Sequence, residues 1–204
     1  MRPRTNGYAA IQDYAVVGDG RTVALVALDG SIDWLCLPDL DSPSTFAALL
    51  DADHGGRFQL APEIEFQASR RYLPGTNVLE TTFKTASGTA RVTDAMTLPL
   101  TGFAPYREIV RRIEGLAGRV PLRWEVEPRP GYGSAPVRIA CHGGVPTMAN
   151  RQDALAVLSW DAGEAAVRDS SIGARFEANE GSVSHLVLGA AHQEPLVYPA
   201  RDEV

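Results

Sequence analysis

The chain has 204 residues, 45% of them hydrophobic and 22% charged, which is typical of a folded globular protein and excludes a disordered one. The net charge of −6 comes with basic residues that are isolated or paired. No cluster of Lys and Arg could therefore neutralise phosphates, and we expect no nucleic-acid partner. No apolar run approaches the about 18 residues that cross a membrane, so we expect no membrane partner.

Strand signals dominate the chain from its first third onward. Residues 22–28 and 31–37 flank Asp29-Gly30, a dipeptide suited to the positive φ angles of a two-residue hairpin turn. Two more hairpins are predicted, one around Ala86-Ser87-Gly88 and one around Gly115-Leu-Ala-Gly118. Later strands are expected at residues 137–141, 154–160, 165–169, 174–178 and 183–188.

One short helix is predicted over residues 42–52. Ser42 suits the N-cap and Pro43 the first helical position. The apolar face of this helix would carry Phe46, Leu49 and Leu50. About a dozen strands with one short helix predict an all-β fold, a large antiparallel β-sandwich.

The cysteines and histidines give no metal or cofactor signal. Cys36 and Cys141 lack CxxC spacing and favour free, buried thiols in a reducing compartment. The four histidines show neither HxxH nor HExxH spacing, and no phosphate-binding loop is present. We therefore predict no cofactor and no metal. Because no apolar leader follows the first residues, we predict a cytoplasmic location.

Three carboxylates lie close together in sequence: Asp33, Asp39 and Asp41. Such a group could in principle supply a general acid and a general base. A structural role is favoured, because Asp33 lies beside a turn and Asp41 precedes the predicted helix start. We assign no catalytic residue, and a small hydrolase using Asp33 or Asp41 is the least favoured hypothesis.

Four blocks of sequence resemble a known family. They begin at Ile11, Arg70, Val92 and Ile109, and the first includes Asp29-Gly-Ser-Ile-Asp-Trp-Leu-Cys-Leu-Pro and Asp41-Ser-Pro. In this order they resemble the N-terminal, trehalase-like domain of bacterial glycoside hydrolase family 15 proteins. One departure is that the family often has a basic and an aromatic residue before Asp-Ser-Pro, where this chain has Asp39-Leu40.

The resemblance implies a β-sandwich that precedes a separate helical (α/α)-barrel. That barrel would carry both catalytic carboxylates of an inverting enzyme acting on an α-glucoside such as trehalose, an isomaltose-type sugar or an α-glucan. We therefore expect residues 1–194 to form a non-catalytic sandwich domain and residues 195–204 to begin the linker to the barrel. The barrel is the expected partner, with an α-glucoside and a second copy of the chain as further candidates.

The residues expected to meet the barrel, or substrate at its mouth, lie in the first block. They are Asp33, Trp34, Asp41, Ser42 and Phe46, although a core position for Trp34 is favoured. The rival hypothesis is an independent glucan-binding module that stacks sugars on exposed aromatic rings. Its candidate residues are Tyr106, Tyr132 and Tyr198.

Overall fold

The computed structural model describes residues 4–98, 107–134, 137–149, 153–193 and 195–201. Within these ranges the chain forms one 3-10 turn, Ile11–Asp13, and fifteen β-strands. The strands are β1 Tyr14–Gly18, β2 Val23–Ala27, β3 Ile32–Cys36, β4 Ser44–Phe46, β5 Arg57–Pro62, β6 Phe66–Tyr72, β7 Leu79–Thr85, β8 Gly88–Met96, β9 Arg107–Glu127, β10 Ile139–His142, β11 Val145–Ala149, β12 Asp153–Trp160, β13 Ala166–Arg168, β14 Ser171–Asn179 and β15 Val183–His192. The predicted all-β antiparallel fold is confirmed. No helix in the described ranges is long and apolar enough to span a membrane.

The strands form two layers that share β9. Sheet I has the order β1-β2-β3-β5-β9-β14-β13, with β4 beside β3. Sheet II has the order β6-β7-β8-β9-β15-β12-β11-β10. The second half of β9 pairs in sheet I and the first half in sheet II. One strand therefore holds the two layers together.

Alternation along the strands fills the space between the layers with apolar side chains. Sheet I contributes Phe58, Leu60 and Trp124, and sheet II contributes Phe83 and Ile113, all buried in one cluster. The Trp124 indole N–H donates a 2.7 Å hydrogen bond to the Ala162 carbonyl, so this large side chain is buried without an unpaired donor. Burial of each large apolar side chain stabilises the sandwich by about 1.5–3 kcal/mol.

A buried ion pair crosses this core. Arg111 of sheet II is fully buried and donates to the Asp94 carboxylate at 2.8 and 3.3 Å. The same guanidinium donates to the carbonyls of Gly30, at 2.8 Å, and Phe58, at 3.2 Å, in sheet I. It also lies 4.9 Å from the centre of the Phe58 ring. With its donors shared between both layers, Arg111 fixes how the sheets sit on one another.

The first two predicted hairpins are confirmed. In the β2–β3 turn only Gly30 has a positive φ, 85°, whereas the sequence suggested positive angles for Asp29 as well. The Ala27 N–H donates to the Ser31 carbonyl at 2.7 Å and closes the turn. A Cβ atom at Gly30 would lie 2.1 Å from the Leu60 carbonyl oxygen, so the turn requires glycine there.

The third predicted hairpin, around Gly115–Gly118, is wrong. The chain continues through these residues as the single strand β9. The Gly115 N–H donates to the Ser182 carbonyl at 3.1 Å, and the Arg119 N–H donates to the Ser87 carbonyl at 3.0 Å. Carbonyls in the turns of two other hairpins thus accept hydrogen bonds from the backbone N–H groups of β9 where it passes between the layers. The glycines allow close approach of these backbones and do not reverse the chain.

The helix predicted over residues 42–52 is also wrong. The segment forms β4, which pairs with β3, and the backbone then bonds to a later segment through Ala47 N–H and the Gly55 carbonyl at 2.8 Å. The side chains of residues 44–48 are all buried, whereas a surface helix exposes part of every turn. Leu50, expected on the buried face, is 61% exposed. Neighbouring strands therefore override the local capping signals.

Candidate functional site

Asp33 is the extra residue of a β-bulge in β3. Its neighbours Trp34 and Ile32 pair with consecutive residues of β2, which leaves Asp33 without a partner in the register. A bulge turns a side chain out of the regular alternation. The carboxylate is fully buried and accepts three hydrogen bonds: from Tyr14 Oη at 2.7 Å, Arg4 Nη1 at 2.8 Å and Ser31 Oγ at 2.5 Å.

The charges around Asp33 reinforce one another. Arg4 also donates to the Asp29 carboxylate at 2.6 Å. Although burial opposes it, the two carboxylates raise the pKa of Arg4 above its ordinary value. Burial and the hydrogen bond to Asp33 raise the pKa of Tyr14. Arg4 thus stays charged and Tyr14 stays protonated, and the segment that contains Arg4 is held onto sheet I.

Trp34 points to the other side of the bulge, onto the outer face of sheet I. Val16, Leu25 and Trp34 stand opposite one another on β1, β2 and β3. Val16 is 44% exposed, and Leu25 and Trp34 are half-buried. We call these three residues the apolar row. The favoured core position for Trp34 is therefore wrong, since its ring lies on the outer surface of the sandwich.

Tyr132 stands beside the apolar row. Gly131, Tyr132 and Gly133 have consecutive positive φ angles of 59°, 61° and 77°. Ser44 of β4 fixes this loop, since its carbonyl accepts from the Gly131 N–H at 2.9 Å and its hydroxyl from the Tyr132 N–H at 3.0 Å. The Tyr132 side chain is 58% exposed, and its ring centre lies 6.3 Å from that of Trp34 at an interplanar angle of 47°.

The other predicted contact residues are placed differently. Phe46 is fully buried in the core and Asp33 is enclosed by its donors, so neither offers surface to a partner. Asp41 is exposed, and the half-buried Ser42 uses its hydroxyl to accept from the Asp39 N–H at 3.1 Å. Their contact with a barrel or substrate stays a prediction. The Asp39 carboxylate accepts from Arg21 at 2.9 Å.

The structure separates two of the three candidate sugar-stacking tyrosines, Tyr132 and Tyr198. Tyr132 meets Trp34 on sheet I. Tyr198, 39% exposed, lies 3.5 Å from the hydroxyl of Thr147 on β11 in sheet II. Tyr106 lies outside the described residues. The contact between Trp34 and Tyr132 thus joins one residue from each of the two hypotheses drawn from the sequence.

Two features of the site were not predicted. The donors of Asp33 come from three separate segments, and only Ser31 is close to it in sequence. The Trp34–Tyr132 contact joins residues far apart in the chain through a loop whose path depends on β4. The Gly-Tyr-Gly pattern was the one local signal, because it indicates backbone with positive φ.

Comparison with known proteins identifies the family. The family described as "Trehalase-like, N-terminal" matches residues 5–170. The trehalase of Mycobacterium tuberculosis is 38% identical over 126 residues, which are 61% of this chain and 18% of the relative. The Mycolicibacterium smegmatis trehalase is 39% identical over 123 residues, 60% of this chain and 17% of the relative.

A third relative gives the same picture. Trehalase 1 of Sulfolobus acidocaldarius is 40% identical over 118 residues, 57% of this chain and 19% of the relative. The chain therefore spans less than a fifth of the length of each of these three relatives. The family match extends through the apolar row and the Tyr132 loop. The chain belongs to the trehalase-like N-terminal domain family.

Proposed function

We propose that this chain is the non-catalytic accessory domain of an α-glucoside-hydrolysing enzyme of the trehalase type. It packs on a catalytic (α/α)-barrel and shapes the mouth of that barrel's active site. One observation carries the proposal: the relatives are trehalases, and the chain matches less than a fifth of each. More than four fifths of each relative therefore lies outside the match, where a separate catalytic domain fits.

The state of the three candidate carboxylates supports a non-catalytic role. Asp33 is buried and its carboxylate accepts three hydrogen bonds, so it is not placed to take a proton from a substrate. Asp39 is bound to Arg21, and Asp41 is exposed to solvent. The least favoured hypothesis, a small hydrolase built on Asp33 or Asp41, gains no support from this geometry.

The apolar row supports the outer face of sheet I as the surface that meets the barrel. Leu40 and Leu50, 56% and 61% exposed, are on segments whose backbones donate hydrogen bonds to Arg21, before β2, and to Asp33 in β3. Exposed apolar side chains grouped in this way mark interaction surfaces. A stable domain interface buries about 1,000 Å² or more.

A hybrid enzyme tests the proposal. The matching N-terminal region of the Mycolicibacterium smegmatis trehalase would be replaced by this chain, and trehalose hydrolysis measured. We expect an active hybrid. Val16→Glu, which puts a charge in the apolar row, should lower its activity about tenfold or more, because a buried unpaired carboxylate weakens the interface.

Val167→Glu is the matched control. Val167 is a valine on the edge strand β13, 38% exposed compared with 44% for Val16, and it lies at the other end of sheet I. It should leave the hybrid as active as the parent hybrid. Equal activity of the two variants would reject the outer face of sheet I as the surface that meets the barrel. Trehalose hydrolysis by the chain on its own would reject the accessory role.

Self-association of the isolated chain, a linker that begins at residue 195 and a cytoplasmic location belong to the same proposal. The uncovered apolar row supports self-association of the isolated chain, which Val16→Glu should reduce in analytical ultracentrifugation. Residues 195–201, at the start of the proposed linker, lie against the sandwich, with Arg201 paired to Asp161.

Cys36 and Cys141 are both free, which supports a cytoplasmic location. The prediction that both thiols are buried is wrong for Cys141, which is exposed.

A further inference from the structure

The backbone of Tyr132 is strained. A non-glycine residue in the left-handed region costs about 1–2 kcal/mol, and tyrosine is seldom placed there. Hydrogen bonds offset this strain. Ser44 accepts two from the loop, and the Arg129 N–H donates another to the Thr45 carbonyl at 2.9 Å. Ser44 and Thr45 are themselves buried. The loop is therefore built onto a rigid support.

This support presents an aromatic ring to solvent. An aromatic side chain usually stabilises a protein by being buried, but Tyr132 is 58% exposed. Its phenol O–H makes no hydrogen bond to any residue that the structure describes. Trp34 packs beside the ring at 6.3 Å and 47°, an angle neither parallel nor perpendicular, so the two rings form an angled surface.

Trp34 belongs to the apolar row, and Tyr132 places a ring with a polar phenol group beside it. Asp41 and Ser42 precede Ser44, the residue that holds the Tyr132 loop, and Asp41 is exposed. An aromatic face carries negative charge in its π-system and attracts the slightly positive C–H groups of a pyranose ring. The Tyr132 phenol can bind a sugar hydroxyl. An aromatic face beside a phenol suits a sugar, which presents both C–H groups and hydroxyls.

We propose that Trp34 and Tyr132 form a stacking platform for a glucopyranose ring of an α-glucoside. The choice of sugar rests on the proposed function. The platform would hold the ring against the sandwich, with Tyr132 as the stacking surface and donor of its phenol O–H, and Trp34 as the second wall. The two hydrogen bonds to Ser44 then have a role, since they hold the strained Tyr132 backbone in place before the sugar arrives.

Titration of this chain with trehalose and maltose, followed by NMR, tests the platform. The Trp34 indole N–H signal is identified with Trp34→Phe. We expect a saturable shift of that signal with either sugar. Sorbitol, a polyol without a pyranose ring, should cause no saturable shift at the same concentrations.

Variants at the tyrosines separate stacking from hydrogen bonding. Tyr132→Ala should weaken binding about 2- to 10-fold, the range of aromatic stacking energies. Tyr132→Phe keeps the ring and should lose less affinity for the sugar than Tyr132→Ala. Tyr198→Ala is the control, because Tyr198 is an exposed tyrosine associated with sheet II, and it should not change binding. The exposed position of Tyr132 predicts that its variants remain folded, which thermal melting checks.

The results distinguish this platform from the accessory role. No saturable shift with either sugar, an equal shift with sorbitol, or unchanged binding by Tyr132→Ala would each overturn the platform. If Tyr132→Ala inactivates the trehalase hybrid without changing sugar binding, the pair contacts the barrel and the platform is likewise rejected. An inactive hybrid that bears the unmodified chain would count against the accessory role alone.

Discussion

Asp33 shows how a single bulged residue can hold a distant segment. The bulge in β3 turns its carboxylate toward Arg4, Tyr14 and Ser31, and so attaches the start of the described chain to sheet I. The sequence identified Asp33 as noteworthy and favoured a structural role, which this geometry supports. Its donors could not be predicted, because they meet only after the sheet has formed.

Asp33→Asn should destabilise the fold by about 2–4 kcal/mol. The amide removes the negative charge that Arg4 faces, and its N–H₂ group would point donors at donors. Urea unfolding measures the difference in free energy. Asp41→Asn, at an exposed carboxylate in the next segment, should change stability by less than about 0.5 kcal/mol. Equal effects of the two substitutions would contradict the role given to Asp33.

His185 makes stability depend on pH. Burial and the nearby Arg112 and Arg201 lower its pKa, while Asp161 opposes this. Arg112 stands directly opposite His185 across β9 and β15, so protonation would set two cations side by side. A lowered pKa in the folded state favours the neutral ring. Its contribution to stability is therefore complete above the unfolded value of about 6.5 and is lost as the pH falls.

His185→Gln should flatten the pH dependence of the free energy of unfolding between about pH 7 and pH 5. Urea unfolding at several pH values measures this slope. His54→Gln is the control, because the side chain of His54 is 81% exposed. A slope that is the same in the parent and in His185→Gln would exclude His185 as its source.

Among the elements, β4 and β9 show where local signals mislead. Ser42-Pro43 is a good helix start, and two glycines three residues apart are a good turn. Both signals describe only what the local backbone allows. In the fold, β4 is held by β3 and by the Tyr132 loop, and β9 is held by four other strands. Pairing with distant segments decides both structures.

Gly115→Ala tests why β9 needs glycine where it passes between layers. A Cβ atom there would lie 1.9 Å from the Asn179 carbonyl oxygen, so two backbones would have to separate. We expect a loss of about 3 kcal/mol in the free energy of unfolding. Gly189→Ala in β15 is the matched control, since a Cβ atom at Gly189 would have no other atom within 4 Å among the described residues. A loss at Gly189 as large as at Gly115 would refute this account.

For the whole molecule, the predicted fold class was correct and much of the candidate site was not predicted. The alternation of Ala90, Val92 and Met96 with polar residues along β8 matches a two-faced strand, the kind of pattern from which the β-sandwich could be inferred. Tyr132 was predicted to be exposed, but its position against Trp34 depends on β4, which was expected to be a helix. Because β4 was predicted to be a helix, the contact between Trp34 and Tyr132 could not be predicted.

Strand β9 also has a consequence for the order of events during synthesis. Its partners β5 and β8 are made before it, whereas β14 and β15 emerge from the ribosome only after residues 128–170 have been made. Until then each half of β9 has a partner strand on one edge only, and apolar side chains such as Leu122 face water. We expect the nascent domain to need protection by chaperones through this interval, and to close only once β15 is complete.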